Sequence, residues 1–302
     1  MGATIIRCEG LTKYYGRNRG IEDLTFEVRP GQVYGFLGPN GAGKTTTIRC
    51  LLSMLKPTRG KAYLFDKEVS VNGRGLRYRI GYVPGEVSLY EKQSGRWMLD
   101  YVSGLRGGSG PAEAELCARL EFDPARKIRE LSKGNKQKLA LIIALMHNPD
   151  LLILDEPTSG LDPLNQQVVF DIIEERVQAG ATVFLSSHIL PEVERVCDRI
   201  AIIRDGRVVA EEAVGVLLTK AIRTVEVTYV EPIPEQFIQS ISTKTAVERI
   251  GDNVLRARVS EDIDGVLRQF LELPIIDITV EHASLEEVFL QYYGHTQEGA
   301  LS

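Results

Sequence analysis

The stretch VYGFLGPNGAGKTTTIRC, residues 33–50, constrains this chain more than any other. A short apolar run leads into glycines, and Ile48, Leu51, Leu52 and Leu55 then recur at helical spacing. That order predicts a buried strand, a glycine-rich loop and a helix. The loop itself, Gly38-Pro39-Asn40-Gly41-Ala42-Gly43-Lys44-Thr45, fits G-x-x-x-x-G-K-[ST]. Glycines let backbone N–H groups wrap a polyphosphate, the lysine brings a cation to its terminal phosphates, and the Thr45 hydroxyl is placed for Mg2+. Charge-assisted hydrogen bonds contribute roughly 1.5–3 kcal/mol each, so a nest of them holds a triphosphate firmly.

A strand-loop-helix of this kind needs a sheet to sit in, and the flanking sequence supplies one. TIIRCEGLTKYYG and IEDLTFEVRPG read as strands, as do KAYLF and IGYV. After residue 149 the pattern alternates again: LLIL as a buried strand, a helix ended by Gly180, TVFLS as a strand, and a hairpin turning at Asp205-Gly206. Alternation of this type predicts an α/β protein with a mainly parallel, covered sheet. Between them, about 87–148, the pattern is helical, with Ser94 as an N-cap and Trp97, Met98, Tyr101, Val102 and Leu105 on one face. Beyond about residue 215 the order becomes β-α-β-β-α-β, which predicts a small α+β, ferredoxin-like domain over 215–302, closed by a helix with a Ser284/Glu287 capping box. A chain of 302 residues has room for both domains.

The run LLILDEP gives the phosphate loop its complement. Asp155 follows a buried strand and is placed to hold Mg2+, and the adjacent Glu156 is placed to polarise a water. Guanine recognition would require N-K-x-D, whereas the sequence reads Asn135-Lys136-Gln137-Lys138. Net charge is −5, which disfavours nucleic acid as a partner. Cys8, Cys50, Cys117 and Cys197 form neither a C-x-x-C pair nor a zinc pattern, and are expected to be reduced thiols of a cytosolic protein. No signal-peptide core and no apolar run of membrane-spanning length is evident, so membrane association is expected only through a partner.

Taken in order, these motifs resemble the ATP-binding cassette (ABC) family over about residues 4–213. Gly38 to Thr46 matches the Walker A loop and Leu151 to Glu156 matches Walker B. LSKGNKQ matches the signature motif, Ser159 to Asp162 the D-loop, and His188 the switch histidine. Tyr15, with Tyr14 as the alternative, stands where the family has an aromatic that stacks on adenine. The resemblance implies a P-loop cassette over 1–214 with antiparallel β and helical subdomains, binding ATP and Mg2+. Two cassettes would close head to tail with ATP between them, and Ser132, Gly134, Asn135 and Asp162 of one would face the nucleotide of the other. Glu156 and His188 would act in hydrolysis. The partner implied is a separate integral-membrane permease, received around Pro84–Met98 with Leu89 and Tyr90, so that the chain lies on the inner face of the cell membrane. The tail is similar to the branch serving drug and antibiotic exporters. The alternatives are a soluble ABC-type ATPase and a nucleotide-binding regulator.

Two departures from the family pattern stand out. Gly85, followed by Glu86, occupies the usual glutamine position, so either Glu86 substitutes through a water or that contact is absent. In the signature, Lys133 replaces a glycine and Asn135 a glutamine, adding positive charge near a phosphate site.

Overall fold

The structure is a computed structural model describing residues 4–69, 74–108, 110–220, 223–242, 246–259, 263–281, 285–286 and 289. The chain divides into two compact units, Met1–Glu212 and Ala213–Ser302.

The first unit is built on a six-stranded sheet. Strand Val33–Leu37 lies at its centre, paired in parallel with Thr182–Ser187 on one side and Arg199–Arg204 on the other. Leu151–Asp155 and Ile80–Val83 extend it, also in parallel. Every residue of Val33–Leu37, Leu151–Asp155 and Thr182–Ser187 is buried, as expected of strands covered on both faces. Arg207–Ala213 closes the edge through the Asp205-Gly206 turn, whose two positive φ values, 49° and 76°, are those of a type I′ hairpin. A second, four-stranded antiparallel sheet carries Ile6–Tyr15 and Asn18–Val28. The rings of Phe26, Tyr34, Phe36 and Phe184, with centroids 5.3–6.0 Å apart, tie the two sheets together.

Three helices, Gly95–Arg106, Glu113–Arg119 and Lys133–Leu145, fill the segment read as helical. Ser94 caps the first, accepting from the Trp97 N–H at 3.1 Å. Of the expected apolar face of that helix, Met98 and Val102 are half-buried and the rest points outward. Leu99 and Ser103 are buried, whereas Trp97, Tyr101 and Leu105 are exposed. Periodicity identifies a stripe but does not say what covers it.

The second unit has strands Arg223–Tyr229, Ala246–Arg249, Val254–Val259 and Ile275–Glu281 in one antiparallel sheet. Its core gathers Val225, Val227, Tyr229, Leu255, Ala257 and Phe270. Leu271, one residue past the end of helix Ile263–Phe270, is exposed. The Ser284/Glu287 capping box lies outside the described residues.

His147 provides a test of the packing in the first unit. Its Nε2 meets the Ile80 carbonyl at 3.3 Å, so Nε2 carries the proton, while Nδ1 is buried without a partner. Burial, with the Arg106 charge second, lowers its pKa to about 4. The unfolded chain therefore accepts a proton that the folded chain refuses, so this residue's contribution is complete above its ordinary pKa and is lost as pH falls toward 4. A His147→Gln variant is expected to show a flatter fall in melting temperature than the parent over that window; equal slopes would contradict the assignment.

Candidate active site

Helix Lys44–Leu51 begins in an unusual way. Its N-cap is Gly43, at φ 113°, and no side chain caps it. Ser94, Ser132 and Asp162 cap the three longest helices of this unit, whereas Glu113–Arg119 and Leu190–Val196, like this one, have no side-chain cap. An uncapped N-terminus leaves backbone N–H groups without acceptors and places the positive end of the helix dipole there. A Cβ on Gly43 would fall 2.6 Å from Ile21 Cγ2, and one on Gly38 would fall 2.4 Å from the Ile203 carbonyl oxygen. The loop can pack this closely only because these positions are glycines. Gly41, also left-handed at φ 83°, has open space around it. Ala42 is buried, and Pro39 and Asn40 form the exposed rim.

Lys44 is buried, and its Nζ donates to the carbonyls of Gly38 at 2.6 Å and Pro39 at 3.2 Å. It also lies 3.5 Å from Glu156 Oε1. Burial pulls the Lys44 pKa below its ordinary value, and Glu156 and Asp155 oppose that shift. The carboxylate neighbours thus favour the charged form that burial disfavours.

Thr45 donates its hydroxyl to Asp155 Oδ2 at 2.7 Å, and Ser186 donates to the other carboxylate oxygen. Asp155 is buried at the end of strand Leu151–Asp155. The next residue, Glu156, turns out of the strand with φ 51°, a left-handed conformation that a non-glycine residue adopts only under constraint. The constraint is visible: the Glu156 N–H donates to the Ser186 carbonyl at 3.1 Å, and its own carbonyl accepts from the Ser159 N–H at 3.1 Å. This bend carries the carboxylate to His188, whose Nδ1 is 3.0 Å from Glu156 Oε1. A carboxylate only accepts, so Nδ1 carries the proton. Lys44, Thr45, Asp155, Glu156 and His188 therefore form one connected group. Tyr15 stands at its border, exposed, with its hydroxyl 3.4 Å from Thr46 Oγ1 and Lys13 Nζ 5.6 Å from its ring centroid.

Ser132, Gly134 and Asn135 belong to a second cluster. The helix begins at Lys133, with Ser132 as its N-cap. The Ser132 hydroxyl accepts from the Asn135 N–H at 3.2 Å and from its side-chain amide at 3.1 Å. Lys133 does not point its charge at the helix start. Its Nζ donates to Ser159 Oγ at 3.1 Å, and its stem lies over Gly160. Asp162 caps helix Pro163–Gln178, accepting from the Asn165 N–H at 3.0 Å. The Asn165 contacts hold the Asp162 carboxyl below its usual pKa.

At the glutamine position, Gly85 lies directly against the acidic centre: a Cβ there would be 3.2 Å from Asp155 Oδ2. Glu86 is exposed. The sequence reading missed Gln137 and Glu192, both buried. The Gln137 amide donates to the Pro157 carbonyl at 2.8 Å, and Glu192 accepts from Thr158 at 2.7 Å and from Ser187 at 3.2 Å. Polar residues among the apolar positions of their helices are the signal that could have exposed them.

Such a group can bind a polyphosphate anion on N–H groups and a buried ammonium, hold a hard cation on hydroxyl and carboxylate oxygens, and present a carboxylate base. A family model described as "ABC transporter" matches residues 21–159. The chain is 32% identical to a Nod factor export ATP-binding protein I of Paraburkholderia xenovorans, over 99% of this chain and 100% of that one. It is 35% identical to the daunorubicin/doxorubicin resistance ATP-binding protein of Streptomyces peucetius, over 96% of this chain and 92% of that one. Its fold matches a dimeric bacterial ABC transporter cassette with a TM-score of 0.65 at 23% identity, over 70% of this chain and 99% of that one.

Gly43→Ala is expected to destabilise the chain by about 1–3 kcal/mol, because the new methyl meets Ile21 in a backbone conformation unfavourable to alanine. Denaturant unfolding checks this, and an unchanged midpoint would contradict it.

Proposed function

This chain belongs to the ABC transporter ATP-binding family, and on that premise we propose that it is the ATP-hydrolysing motor of an exporter of drugs, antibiotics or similar hydrophobic compounds. The observation that carries the reading is the connected group Lys44–Glu156–His188 beside Thr45–Asp155, at the mouth of an uncapped helix.

The N–H groups at the uncapped start of helix Lys44–Leu51 and the Lys44 ammonium hold the ATP phosphates, and the exposed Tyr15 ring stacks on adenine. Thr45 and Asp155 fit Mg2+: both offer hard oxygen atoms, and Ser186 pins the carboxylate. No cluster of His, Cys, Asp and Glu able to form an all-protein metal cage occurs among the described residues. That suits an ion bound by one or two protein oxygens plus substrate phosphates. Bound there, Mg2+ would neutralise charge on the phosphate oxygens.

Glu156 orients a water and accepts its proton as the water oxygen bonds to the γ-phosphorus. The bond from that phosphorus to the β-bridging oxygen breaks, leaving ADP and phosphate. His188 keeps the Glu156 carboxylate in place through its Nδ1–H. The second cluster, Ser132 with Gly134, Asn135 and Asp162, completes the ATP site of a second copy. In this arrangement ATP holds two cassettes together and hydrolysis releases them, which is the differential affinity any ligand-driven motor needs.

No helix among the described residues is long and apolar enough to cross a membrane, so the reading requires a separate permease. The outward aromatic stripe supports its docking place. Trp97 and Tyr101 stack with centroids 5.0 Å apart, and Tyr90 meets both edge-on, all three exposed. Exposed aromatic clusters of this kind are the usual anchors of protein interfaces. The strand order of the second unit, with the third and first strands central, supports a split βαβ, ferredoxin-like tail.

Lys44→Ala is expected to lower ATP turnover by about 10²-fold or more, while Glu156→Gln should retain ATP binding but stall as a dimer. Phosphate release and sedimentation with ATP and Mg2+ test both. Unchanged turnover in Lys44→Ala would overturn the site, and a monomeric Glu156→Gln chain would overturn the sandwich.

A further inference from the structure

Glu192 is a buried carboxylate with no part in the chemistry just described. It lies in the first turn of helix Leu190–Val196, just past His188. One oxygen accepts from the Thr158 hydroxyl at 2.7 Å and the other from the Ser187 hydroxyl at 3.2 Å. All three residues are buried. Burial pushes the Glu192 carboxyl upward, and the bonds from Thr158 and Ser187 pull it back. Those two bonds offset part of the cost of burying its oxygens.

The position of its two partners gives the site its meaning. Thr158 begins the turn that leads through Ser159 and Gly160 to Asp162, and its carbonyl accepts from the Leu161 N–H at 3.0 Å. That turn is gripped from the other side by the signature helix. Lys133 donates to Ser159, Gly134 lies against the Gly160 carbonyl, and Gln137 donates to the Pro157 carbonyl. Ser187 directly precedes His188, and its hydroxyl also accepts from the Ile189 N–H at 3.0 Å, which fixes both flanks of the histidine. A continuous chain of contacts thus runs from the helix capped by Ser132, through the turn at Thr158, through Glu192, to His188 and Glu156.

We propose that Glu192 is a positioning residue that couples the Ser132-capped cluster to the His188–Glu156 pair, so that a second cassette docking on the turn is felt at the base. The inference rests on the ATPase reading above and adds to it a route between the two half-sites of one chain. Packing alone would not require a carboxylate here, since an apolar residue would fill the space without a desolvation penalty. A carboxylate that bridges the turn at Thr158 and the end of strand Thr182–Ser187 instead fixes their separation, and neither can shift without breaking a buried hydrogen bond.

The experiment measures phosphate release against ATP concentration, together with equilibrium binding of a fluorescent ATP analogue. It compares the parent chain, Glu192→Ala, Glu192→Gln and Thr158→Val. Glu192→Ala is expected to lower kcat by about tenfold and to bring the Hill coefficient toward unity, with nucleotide affinity within about twofold of the parent. Glu192→Gln can still accept from Thr158 and can donate to Ser187, so it should recover most of kcat. Thr158→Val removes one arm of the bridge at nearly constant volume and should reproduce the Ala defect in part; should the Ala variant fail to fold, this variant and Glu192→Gln carry the test. Parent-like kcat and Hill coefficient in both Glu192→Ala and Thr158→Val would overturn the proposal. So would a loss of nucleotide affinity matching the loss of kcat, which would mark Glu192 as mere support for the fold. A parent chain without turnover that Lys44→Ala abolishes would instead refute the ATPase reading itself.

Discussion

A helix whose first turn has no side-chain cap must find an acceptor outside itself, and the site depends on that one deficit. At Lys44–Leu51 the cap position is a glycine in the left-handed region. The N–H groups behind it are free to bind an anion, and the sheet supplies the rest. Parallel pairing sets Val33–Leu37, Leu151–Asp155 and Thr182–Ser187 side by side and fully buried. Their carboxyl ends therefore stop together, and each releases its functional residue at the same level: the phosphate loop, Asp155 with Glu156, and His188. Ligand sites of open α/β sheets form at that edge of the strands.

The electrostatics follow from the same geometry. Lys44 is buried, which favours its neutral form, and it sits between loop carbonyls and two carboxylates that oppose that shift. Glu156 is held in a strained backbone conformation by hydrogen bonds to Ser186 and Ser159, and in return its carboxylate reaches both Lys44 and His188. Strain of this kind persists only where the surroundings over-determine it. The turn that follows is braced by Gln137 at Pro157 and by Glu192 at Thr158.

Much of this was legible in the residue order because the relevant physics is local. A short apolar run leading into a glycine-rich loop and a helix reads as a buried strand, Ser94 and Asp205-Gly206 announce a cap and a hairpin, and Thr45 and Asp155 meet as their motifs require. What the sequence left open depends on tertiary partners. The stripe of Trp97, Tyr101 and Leu105 has the period of a buried face but points outward, since the helix packs instead through Leu99 and Ser103. Lys133 reads as a charge beside a phosphate site, yet Ser159 takes its ammonium. Gln137 and Glu192 are polar residues within helical segments, and only the bonds they make to Pro157, Thr158 and Ser187 reveal their work. At Gly85 a Cβ would lie 3.2 Å from Asp155 Oδ2, a closeness that only the fold reveals.

The central claim is that each chain carries two half-sites serving different nucleotides, one at Lys44 and one at Ser132. It is tested most directly by mixing two inactive variants, Lys44→Ala and Ser132→Arg, and following ATP turnover. In a shared site the first chain lends an intact Ser132 to the intact Lys44 of the second, so the mixture should regain activity that neither variant has alone. Failure to regain activity at any mixing ratio, with mixed dimers demonstrably formed, would contradict the account.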